Sequence, residues 1–317
     1  MKLGDIVKYK EFTVKNDGFA GHLVEPDGRT PQHVVIIIMG GERSIINAKK
    51  VAERFTEFGI SGIAVPVYGA KGQKRGVDRV EMSFMKRVVR TLRNKEGYKN
   101  VSVYGLSVGS VYAAVTARYV EGIDNAILVA PSHVPFEGSN TLKQKMTGHS
   151  MVTYEGVELP FVSPQFFHSG YMAKFIYDED AGREVSNMWR MYNTSYKDKT
   201  RESLAYYELE KSSCRYLFVA GTCDEVWPSE YSINYMMDKL KKAGYTKEYK
   251  ALIYPNASHI IGMLPSRERY KWQRRMLWLI GKIYRSYSEH REDSVRAVIE
   301  SEKAIAAFIF ENEVREV

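Results

Sequence analysis

The chain has few of the features that mark specialised classes of protein. It has only two cysteines, Cys214 and Cys223, which excludes a disulfide framework, and neither their spacing nor their surroundings suggest a metal site. Its strongest apolar run, residues 34–39, is far too short to span a bilayer. Residues 1–15 alternate charged and apolar side chains, unlike a signal peptide. We expect a cytoplasmic protein with no membrane association, metal or other cofactor.

The net charge is positive, but its distribution is not that of a nucleic-acid-binding protein. The sequence has 46 Lys and Arg against 38 Asp and Glu, a net charge of +8. The basic residues are spread over predicted helices and turns, and no basic run is interleaved with aromatic residues that stack on bases. Such an excess can attract anionic partners, but most of it is interpreted as solvated surface. We expect a small-molecule substrate and no nucleic-acid partner.

The predicted elements follow the order of an α/β protein. Residues 6–14 and 19–24 flank Asn16-Asp17-Gly18, a strong hairpin signal, and strands then alternate with helices. The predicted strands are residues 34–39, 62–67, 101–104, 125–130, 215–221 and 249–254, and the first predicted helices are residues 44–58, 78–92 and 111–119. We expect a mostly parallel central sheet with helices on both faces and the hairpin at one edge.

The tail, residues 293–311, has the apolar spacing of an amphipathic helix. We expect this helix to pack against the sheet. A homodimer contact is the alternative.

A glycine-rich pentapeptide, Gly105-Leu106-Ser107-Val108-Gly109, joins the strand at residues 101–104 to the helix at residues 111–119. In this context a G-x-S-x-G sequence is typical of a nucleophile elbow, a sharp turn that exposes a strained serine above a parallel sheet. The alternative is a glycine-rich connection with an ordinary surface serine. The other groups that a serine nucleophile requires decide between the two interpretations.

A serine nucleophile needs a histidine base and a carboxylate, in the chain order serine, acid, histidine for this type of fold. Asp224 follows the strand at residues 215–221, and His259 follows the strand at residues 249–254. Catalytic groups gather at the carboxyl ends of parallel strands. We therefore predict that Ser107, Asp224 and His259 act together.

Each partner has a competing interpretation. Glu225 is a rival acid one residue along, and Asp224 is also placed to cap a helix that begins near Ser229. His133, which follows the strand at residues 125–130, is a reserve base without an acid in the expected order.

The loop after the strand at residues 34–39 is predicted to supply part of an oxyanion hole. Gly41 or Glu42 would provide one backbone N–H group, and Val108 the other. The sequence does not decide between Gly41 and Glu42, and a tight turn with Ser44 as a helix cap is compatible with the same residues.

These segments carry a family resemblance. The chain is similar to α/β-hydrolases, and residues 215–265 resemble the C-terminal domain shared by acyl-CoA thioesterases and bile acid-CoA:amino acid N-acyltransferases. Trp-Pro after the acid and Tyr-Pro-x-Ala-x-His around the base are more specific than the order of the three residues. Residues 156–162 also resemble bacterial members. The resemblance implies an acyl-CoA substrate, whose phosphates suit the positive charge.

Two departures limit what the resemblance implies. The mammalian members carry a large N-terminal β-sandwich, whereas the hydrolase core begins near Gln32 here. The amino acid transferases of the family use cysteine at the elbow, where this chain has Ser107, and serine favours hydrolysis over aminolysis. The dienelactone hydrolases are close in fold but usually carry cysteine as well, so they are not a better match.

A long aromatic insertion separates the strand that ends at Ala130 from the one that begins near Arg215. At this point of the fold an insertion lies over the serine. We predict that residues 1–134 and 213–317 form the core and that residues 135–212 form a cap lining an acyl pocket, although aromatic residues also hold small subdomains together. The candidate substrate-binding residues are Phe161, Phe166, Phe167 and Trp227.

The sequence as a whole predicts a serine hydrolase that cleaves an acyl ester or thioester through an acyl-enzyme intermediate. A carboxylesterase or a dienelactone hydrolase-like enzyme is the alternative. A non-catalytic binding protein on the same scaffold has no need of all three groups, and is disfavoured for that reason.

Overall fold

A computed structural model of the protein describes residues 8–27, 32–40, 45–74, 76–140, 145–164, 174–265 and 284–311. The strands are β1 (Lys8–Phe12), β2 (Gly21–Glu25), β3 (His33–Ile38), β4 (Ser61–Ala64), β5 (Val80–Glu81), β6 (Asn100–Leu106), β7 (Asn125–Val129), β8 (Glu137–Asn140), β9 (Lys145–Ser150), β10 (Val152–Tyr154), β11 (Val157–Glu158), β12 (Phe175–Asp178), β13 (Arg183–Ser186), β14 (Arg215–Gly221) and β15 (Tyr249–Tyr254). The helices are α1 (Val14–Asp17), α2 (Ile46–Thr56), α3 (Met85–Arg90, continued by a π-helical turn, Thr91–Lys95), α4 (Val108–Tyr119), α5 (Asn187–Ser195), α6 (Lys199–Ala205), α7 (Ser229–Lys242), α8 (Arg285–Glu289) and α9 (Arg291–Phe310).

Within the described residues, eight strands form the main sheet in the order β1-β2-β4-β3-β6-β7-β14-β15. Neighbours from β4 to β15 are parallel, and β1 and β2 add an antiparallel hairpin at one edge. The inner strands are buried along their length, as β3 is, because helices cover both faces of the sheet. The protein therefore has the mostly parallel sheet of the α/β-hydrolase fold, as the sequence predicted.

Each face of the sheet has its own hydrophobic core. On one face α3, α4 and α7 pack on the strands, and Tyr112 and Ile233 are fully buried. On the other face α2 and α9 pack, and Phe55 and Ile305 are fully buried. The tail helix α9 lies against β14 and β15, which confirms the predicted packing. The dimer contact remains a prediction.

The N-terminal hairpin closes differently from the prediction. Between its strands the chain forms α1 rather than a tight turn at Asn16-Asp17-Gly18. Thr13 Oγ1 accepts the N–H of Asn16 at 3.2 Å, and Gly18 takes the left-handed conformation at a φ of 74°. Threonine before a helix and glycine after it are good caps, and this local capping outweighs the turn signal.

The helix predicted at residues 78–92 begins later than expected. Val80–Glu81 instead form β5, which pairs with β10 of the insertion. The Glu81 carboxylate accepts the N–H groups of Ser83 at 2.9 Å and of Glu155 at 3.0 Å. Although burial opposes ionisation, such hydrogen bonds lower the pKa of Glu81 to about 2. These contacts hold the segment extended and tie it to the insertion.

The described residues between β7 and β14 build small sheets and helices of their own. β8 pairs with β9 and β12 with β13, while β11, β10 and β5 form a three-stranded sheet. Phe136 packs against Tyr192 at 4.5 Å and against Trp227 at 5.6 Å between ring centroids. Aromatic residues of the insertion therefore pack on one another and on the core. A cap formed by residues 135–212 over the serine stays a prediction.

Candidate active site

A single residue makes the turn between β6 and α4. β6 ends at Leu106 and α4 begins at Val108, so that Ser107 connects the two. Its φ of 57° and ψ of −127° lie outside the regions that L-residues prefer, a strained conformation that the surrounding packing must impose. The backbone thus has the geometry of a nucleophile elbow, in which the serine side chain projects away from both elements.

The two glycines beside Ser107 are required by close packing. A Cβ atom at position 105 would lie 2.6 Å from the Cβ of Ala113. A Cβ atom at position 109 would overlap the carbonyl oxygen of Ile38 and lie 2.7 Å from its carbonyl carbon. Both distances are shorter than real Cβ contacts. The start of α4 therefore packs directly on the end of β3, and this packing holds the strained turn.

Gly109→Ala should lower the free energy of unfolding by about 3 kcal/mol, at the upper end of typical overpacking costs. The reason is that the added Cβ atom meets the backbone of Ile38, which cannot move aside by changing a side-chain rotamer. Urea unfolding measures the effect. Gly76→Ala is the matched control, since its Cβ would lie 3.5 Å from its nearest neighbour. Equal stability of the two variants would contradict the close packing at position 109.

The predicted acid and base come from adjacent strands. β14 and β15 are paired up to Gly221 and Tyr254, so the loops that follow them meet at one edge of the sheet. There His259 donates from Nδ1 to Asp224 Oδ2 at 2.8 Å, and both side chains are buried. A carboxylate only accepts, so Nδ1 carries the proton and Nε2 is left to accept one. This is the tautomer that a general base requires.

The second oxygen of Asp224 orders its own loop. Oδ1 accepts the N–H of Val226 at 2.8 Å and the N–H of Trp227 at 3.2 Å. These bonds close the turn before α7, whose N-cap position is Pro228. Asp224 therefore caps a turn rather than the helix, and its orientation toward His259 is fixed by backbone donors.

Ser107 lies at the carboxyl end of β6, on the same edge of the sheet as the acid and the base. Its Oγ makes no hydrogen bond to His259 or to any other residue in the part of the chain that the structure describes. Catalytic hydrogen bonds are often long without substrate and tighten in the substrate complex. The structure thus brings Asp224 and His259 into contact, and the Ser107 hydroxyl has no hydrogen-bond partner among the described residues.

The rival acid Glu225 does not contact the His259 ring. Its carboxylate accepts the hydroxyl of Ser258 at 2.9 Å and the N–H of Ser286 at 2.8 Å. Burial raises the pKa of Glu225, the neighbouring charge of Asp224 acts in the same direction, and the hydrogen bonds act against both. Asp224, rather than Glu225, lies against the imidazole.

Two aromatic residues enclose the imidazole. Tyr284 stacks on it with ring centroids 6.0 Å apart, and Trp227 meets it edge-on at 5.6 Å. Trp227 is buried and donates its indole N–H to the carbonyl of Ala130 at 2.9 Å, so it offers little surface to a substrate. The other candidate substrate-binding residues are Phe161, which is half-buried, and Phe166 and Phe167, which lie outside the described residues. The substrate role of all four stays a prediction.

The predicted oxyanion hole is described only in part. The Val108 N–H is the first of α4, and N–H groups of a first helical turn have no partner within their helix. Gly41 and Glu42 lie outside the described residues. The residue before them, Gly40, lies beside the elbow, since a Cβ atom there would be 3.2 Å from the Cβ of Ser107. The loop after β3 therefore starts next to the serine.

The reserve base His133 belongs to a separate buried cluster that joins the insertion to the core. Its Nε2 donates to Glu202 Oε1 in α6 at 3.1 Å, and its Nδ1 accepts from Ser232 Oγ in α7 at 3.0 Å. Tyr231 and Lys199 also donate to Glu202, at 2.8 Å and 2.9 Å. These groups satisfy one another, which gives His133 a structural role that its position in the sequence did not indicate.

Stability should decline as the pH falls below about 6.5, the ordinary histidine pKa. Burial lowers the pKa of His133, so the unfolded chain takes up a proton at that position before the folded chain does. Urea unfolding at a series of pH values measures the decline. His133→Gln keeps hydrogen-bonding capacity and removes the titration, so its stability should fall less steeply. An unchanged slope in this variant would contradict the role of His133.

A pocket of about 280 Å³ lies between the insertion and the loop that carries Asp224. Arg183 and Trp189 line it from the insertion, and Thr222 and Asn234 line it from the core. The lining combines polar groups with the apolar surface of residues such as Trp189 and Pro228.

In the described ranges, no group of three or more His, Cys, Asp or Glu side chains could hold a metal ion. No helix among these residues is long and apolar enough to cross a bilayer. Cys214 and Cys223 are both free thiols.

Sequence reasoning did not anticipate the groups around the base. Tyr284 and Ser286 lie far from His259 along the chain, and no spacing pattern connects them. The one local signal was Ser258, a hydroxyl donor that directly precedes the base in the sequence. Glu202, likewise, is distant in sequence from the His133 that it accepts from.

Comparisons with known proteins agree with this architecture. A family model described as "BAAT / Acyl-CoA thioester hydrolase C terminal" matches residues 80–266, more than half of the chain. A hyperthermophilic esterase from the archaeon Pyrobaculum calidifontis is 15% identical, with a TM-score of 0.55 over 98% of this chain and 88% of that chain. A thermostable esterase from Pseudomonas putida ECU1011 is 16% identical, with a TM-score of 0.50 over 83% of this chain and 77% of that chain. At these identities the likeness shows the fold alone. No curated protein matched the sequence.

Proposed function

Because the chain belongs to the BAAT/acyl-CoA thioester hydrolase C-terminal family, a family of ester and thioester hydrolases with the α/β fold, we propose that it hydrolyses an acyl thioester by a serine mechanism. Ser107 is the proposed nucleophile, His259 the general base and Asp224 the residue that orients the base. One observation carries this proposal. The buried Asp224–His259 pair, at 2.8 Å, lies at the sheet edge where the strained Ser107 follows β6.

The proposed reaction has two steps. Ser107 Oγ attacks the carbonyl carbon while its proton passes to His259 Nε2, and the C–S bond then breaks as the leaving thiol takes that proton. Water next attacks the acyl-enzyme and gives a proton to His259, which returns it to Ser107 as the carboxylic acid leaves. Asp224 stabilises the imidazolium that forms in each step.

The negative charge that develops on the substrate carbonyl oxygen must be stabilised by hydrogen-bond donors. We assign this role to the Val108 N–H and to one N–H from Gly41 or Glu42. The N-terminus of α4 carries the positive end of the helix dipole, which favours an anion there. The hole would then be built from two backbone groups.

A thioester of coenzyme A is the favoured substrate class. The family is described by acyl-CoA thioester hydrolysis, and the net charge of +8 suits the phosphates of coenzyme A. Serine rather than cysteine at the elbow favours transfer of the acyl group to water. Residues 135–212 are proposed to form the cap that binds the acyl chain.

Labelling with a fluorophosphonate probe tests the nucleophile directly. Wild-type protein should be labelled at Ser107, and Ser107→Ala should not be labelled, since an alanine has no oxygen to phosphonylate. Ser110→Ala is the matched control, because Ser110 Oγ already donates to the Ser107 carbonyl at 2.6 Å inside α4. Absence of label on the wild type would favour a non-catalytic binding protein.

The dependence on acyl length tests the cap. We expect kcat/KM to rise from acetyl to medium chains and then to fall, because each buried methylene adds roughly 0.8 kcal/mol until the pocket is full. Two parallel series, p-nitrophenyl esters and acyl-CoAs from acetyl to dodecanoyl, measure it.

The two series also separate the substrate classes. Higher kcat/KM for acyl-CoA at matched chain length supports the thioesterase, and the reverse result identifies a carboxylesterase. Activity that peaks at acetyl in both series would mean that the cap closes the pocket rather than lining it.

A further inference from the structure

Glu225 is a buried carboxylate one residue from the proposed catalytic acid, and the proposed mechanism gives it no role. It is 3% exposed. Its side chain lies where the loop after β14, the loop after β15 and helix α8 meet. A carboxylate is costly to bury, so its retention at this junction needs an explanation.

Four hydrogen bonds converge on this carboxylate. Oε2 accepts the hydroxyl of Ser258 at 2.9 Å and the backbone N–H of His259 at 3.4 Å. Oε1 accepts the backbone N–H of Ser286 at 2.8 Å and the hydroxyl of the same residue. Two of these four donors are backbone groups that cannot reverse their role. An ionised carboxylate, which only accepts, fits the two backbone donors and the Ser258 hydroxyl, while the single proton of the Ser286 hydroxyl also faces the Cys223 carbonyl at 3.1 Å.

Among the described residues, Glu225 makes no salt bridge. The guanidinium of Arg183 donates to the carbonyls of Thr222 and Asp224 at 3.3 Å and 3.4 Å, and that of Arg285 pairs with Glu184 and Glu289. Burial raises the pKa of the Cys223 thiol and raises that of Tyr284 to about 12, so both stay neutral near neutral pH. Asp224 and His259 are further ionisable neighbours of the cluster.

Two carboxyl groups therefore contact His259. Asp224 contacts its Nδ1, and Glu225 contacts the backbone N–H of the same residue. Opposite charges a few ångströms apart in a buried site favour the protonated imidazole. The imidazolium is the species that the proposed mechanism forms in both steps.

We propose that Glu225 is a positioning residue for His259: its carboxylate fixes the backbone of the base, and its charge makes the imidazole a stronger base. This inference rests on the proposed function, in which His259 is the general base. A purely structural clamp is the competing explanation, because it needs the hydrogen bonds of Glu225 but not its charge.

The test uses Glu225→Gln, which removes the charge and keeps the size, and Ser286→Ala, which keeps the charge and removes one hydrogen bond. Two readouts are compared in the full-length protein. One is the pH at which the ring resonances of His259 titrate in NMR spectra of histidine-labelled protein. The other is the midpoint of the acid limb of the kcat/KM profile.

In Glu225→Gln both midpoints should move to lower pH by about one pH unit, the size expected for loss of a charge near a buried base. In Ser286→Ala both should stay within about 0.3 pH units of the wild type, since the charge remains. An unmoved His259 titration in Glu225→Gln overturns the proposal, whatever its kcat. Equal shifts in the two variants also overturn it, because the loss of a hydrogen bond that holds the loop would then explain both shifts.

If Glu225→Gln does not fold, the proposal can be tested on the wild-type protein. With the carboxyl carbons of glutamate labelled, the His259 ring resonances should respond at the pH where the Glu225 carboxyl titrates. If the His259 ring resonances do not change over that pH range, the proposal is overturned. The NMR readout does not depend on turnover. An active Ser107→Ala variant would end the nucleophile assignment and leave this result intact.

Discussion

Ser107→Ala should lower kcat by roughly 10⁵ to 10⁶. Alanine cannot attack the carbonyl carbon, and the activity that remains would come from substrate binding and the oxyanion donors alone. The kcat of the purified variant on the best acyl-CoA of the chain-length series measures the loss.

The same variant should keep its fold. Serine and alanine both carry a Cβ atom, so the strain at a φ of 57° is common to the two. The Ser107 hydroxyl makes no hydrogen bond with any described residue, so the substitution removes no such bond. We therefore expect the free energy of unfolding to stay within about 0.5 kcal/mol of the wild type. An active variant would end the assignment of Ser107 as the nucleophile.

Asp224→Asn should lower kcat by about 10⁴. The asparagine amide can donate to Nδ1 of His259, which leaves the imidazole proton on Nε2, where it cannot accept the proton of Ser107. The Oδ1 atom can still accept the N–H groups of Val226 and Trp227, so the turn before α7 should survive. Steady-state kinetics together with the circular dichroism spectrum separate lost chemistry from lost structure.

Glu225→Gln is the matched comparison, one residue away and equally buried. Its charge lies against the backbone of His259, not against the ring, so we expect a loss of about tenfold in kcat, far below that of Asp224→Asn. A larger loss in Glu225→Gln than in Asp224→Asn would show that the wrong carboxylate has been assigned to the imidazole.

The sheet could be predicted because its strands carry a strong signal. β14 and β15 have the bounds that the apolar runs at residues 215–221 and 249–254 indicated. The hairpin connection could not, because the turn signal at Asn16-Asp17-Gly18 competes with helix caps at its two ends. The start of α3 could not either. It depends on hydrogen bonds between Glu81 and the distant Glu155, which no local pattern reports.

The candidate site divides in the same way. The contact between Asp224 and His259 followed from their positions after neighbouring parallel strands. The choice between Asp224 and Glu225 did not, since consecutive residues in a loop differ only in the direction of their side chains. The roles of Val108, Gly41 and Glu42 at the oxyanion stay predictions.

The backbone of Ser107 restricts which residues can occupy this position. A positive φ is uncommon for any side chain, but for a β-branched residue it is a genuine outlier. Threonine has the hydroxyl that the chemistry needs, and the turn rejects it on conformational grounds. Cysteine has the same unbranched shape as serine and fits the same torsion angles. Among nucleophilic side chains, the turn therefore admits serine and cysteine, and in the proposed mechanism this choice sets whether the covalent intermediate is an ester or a thioester.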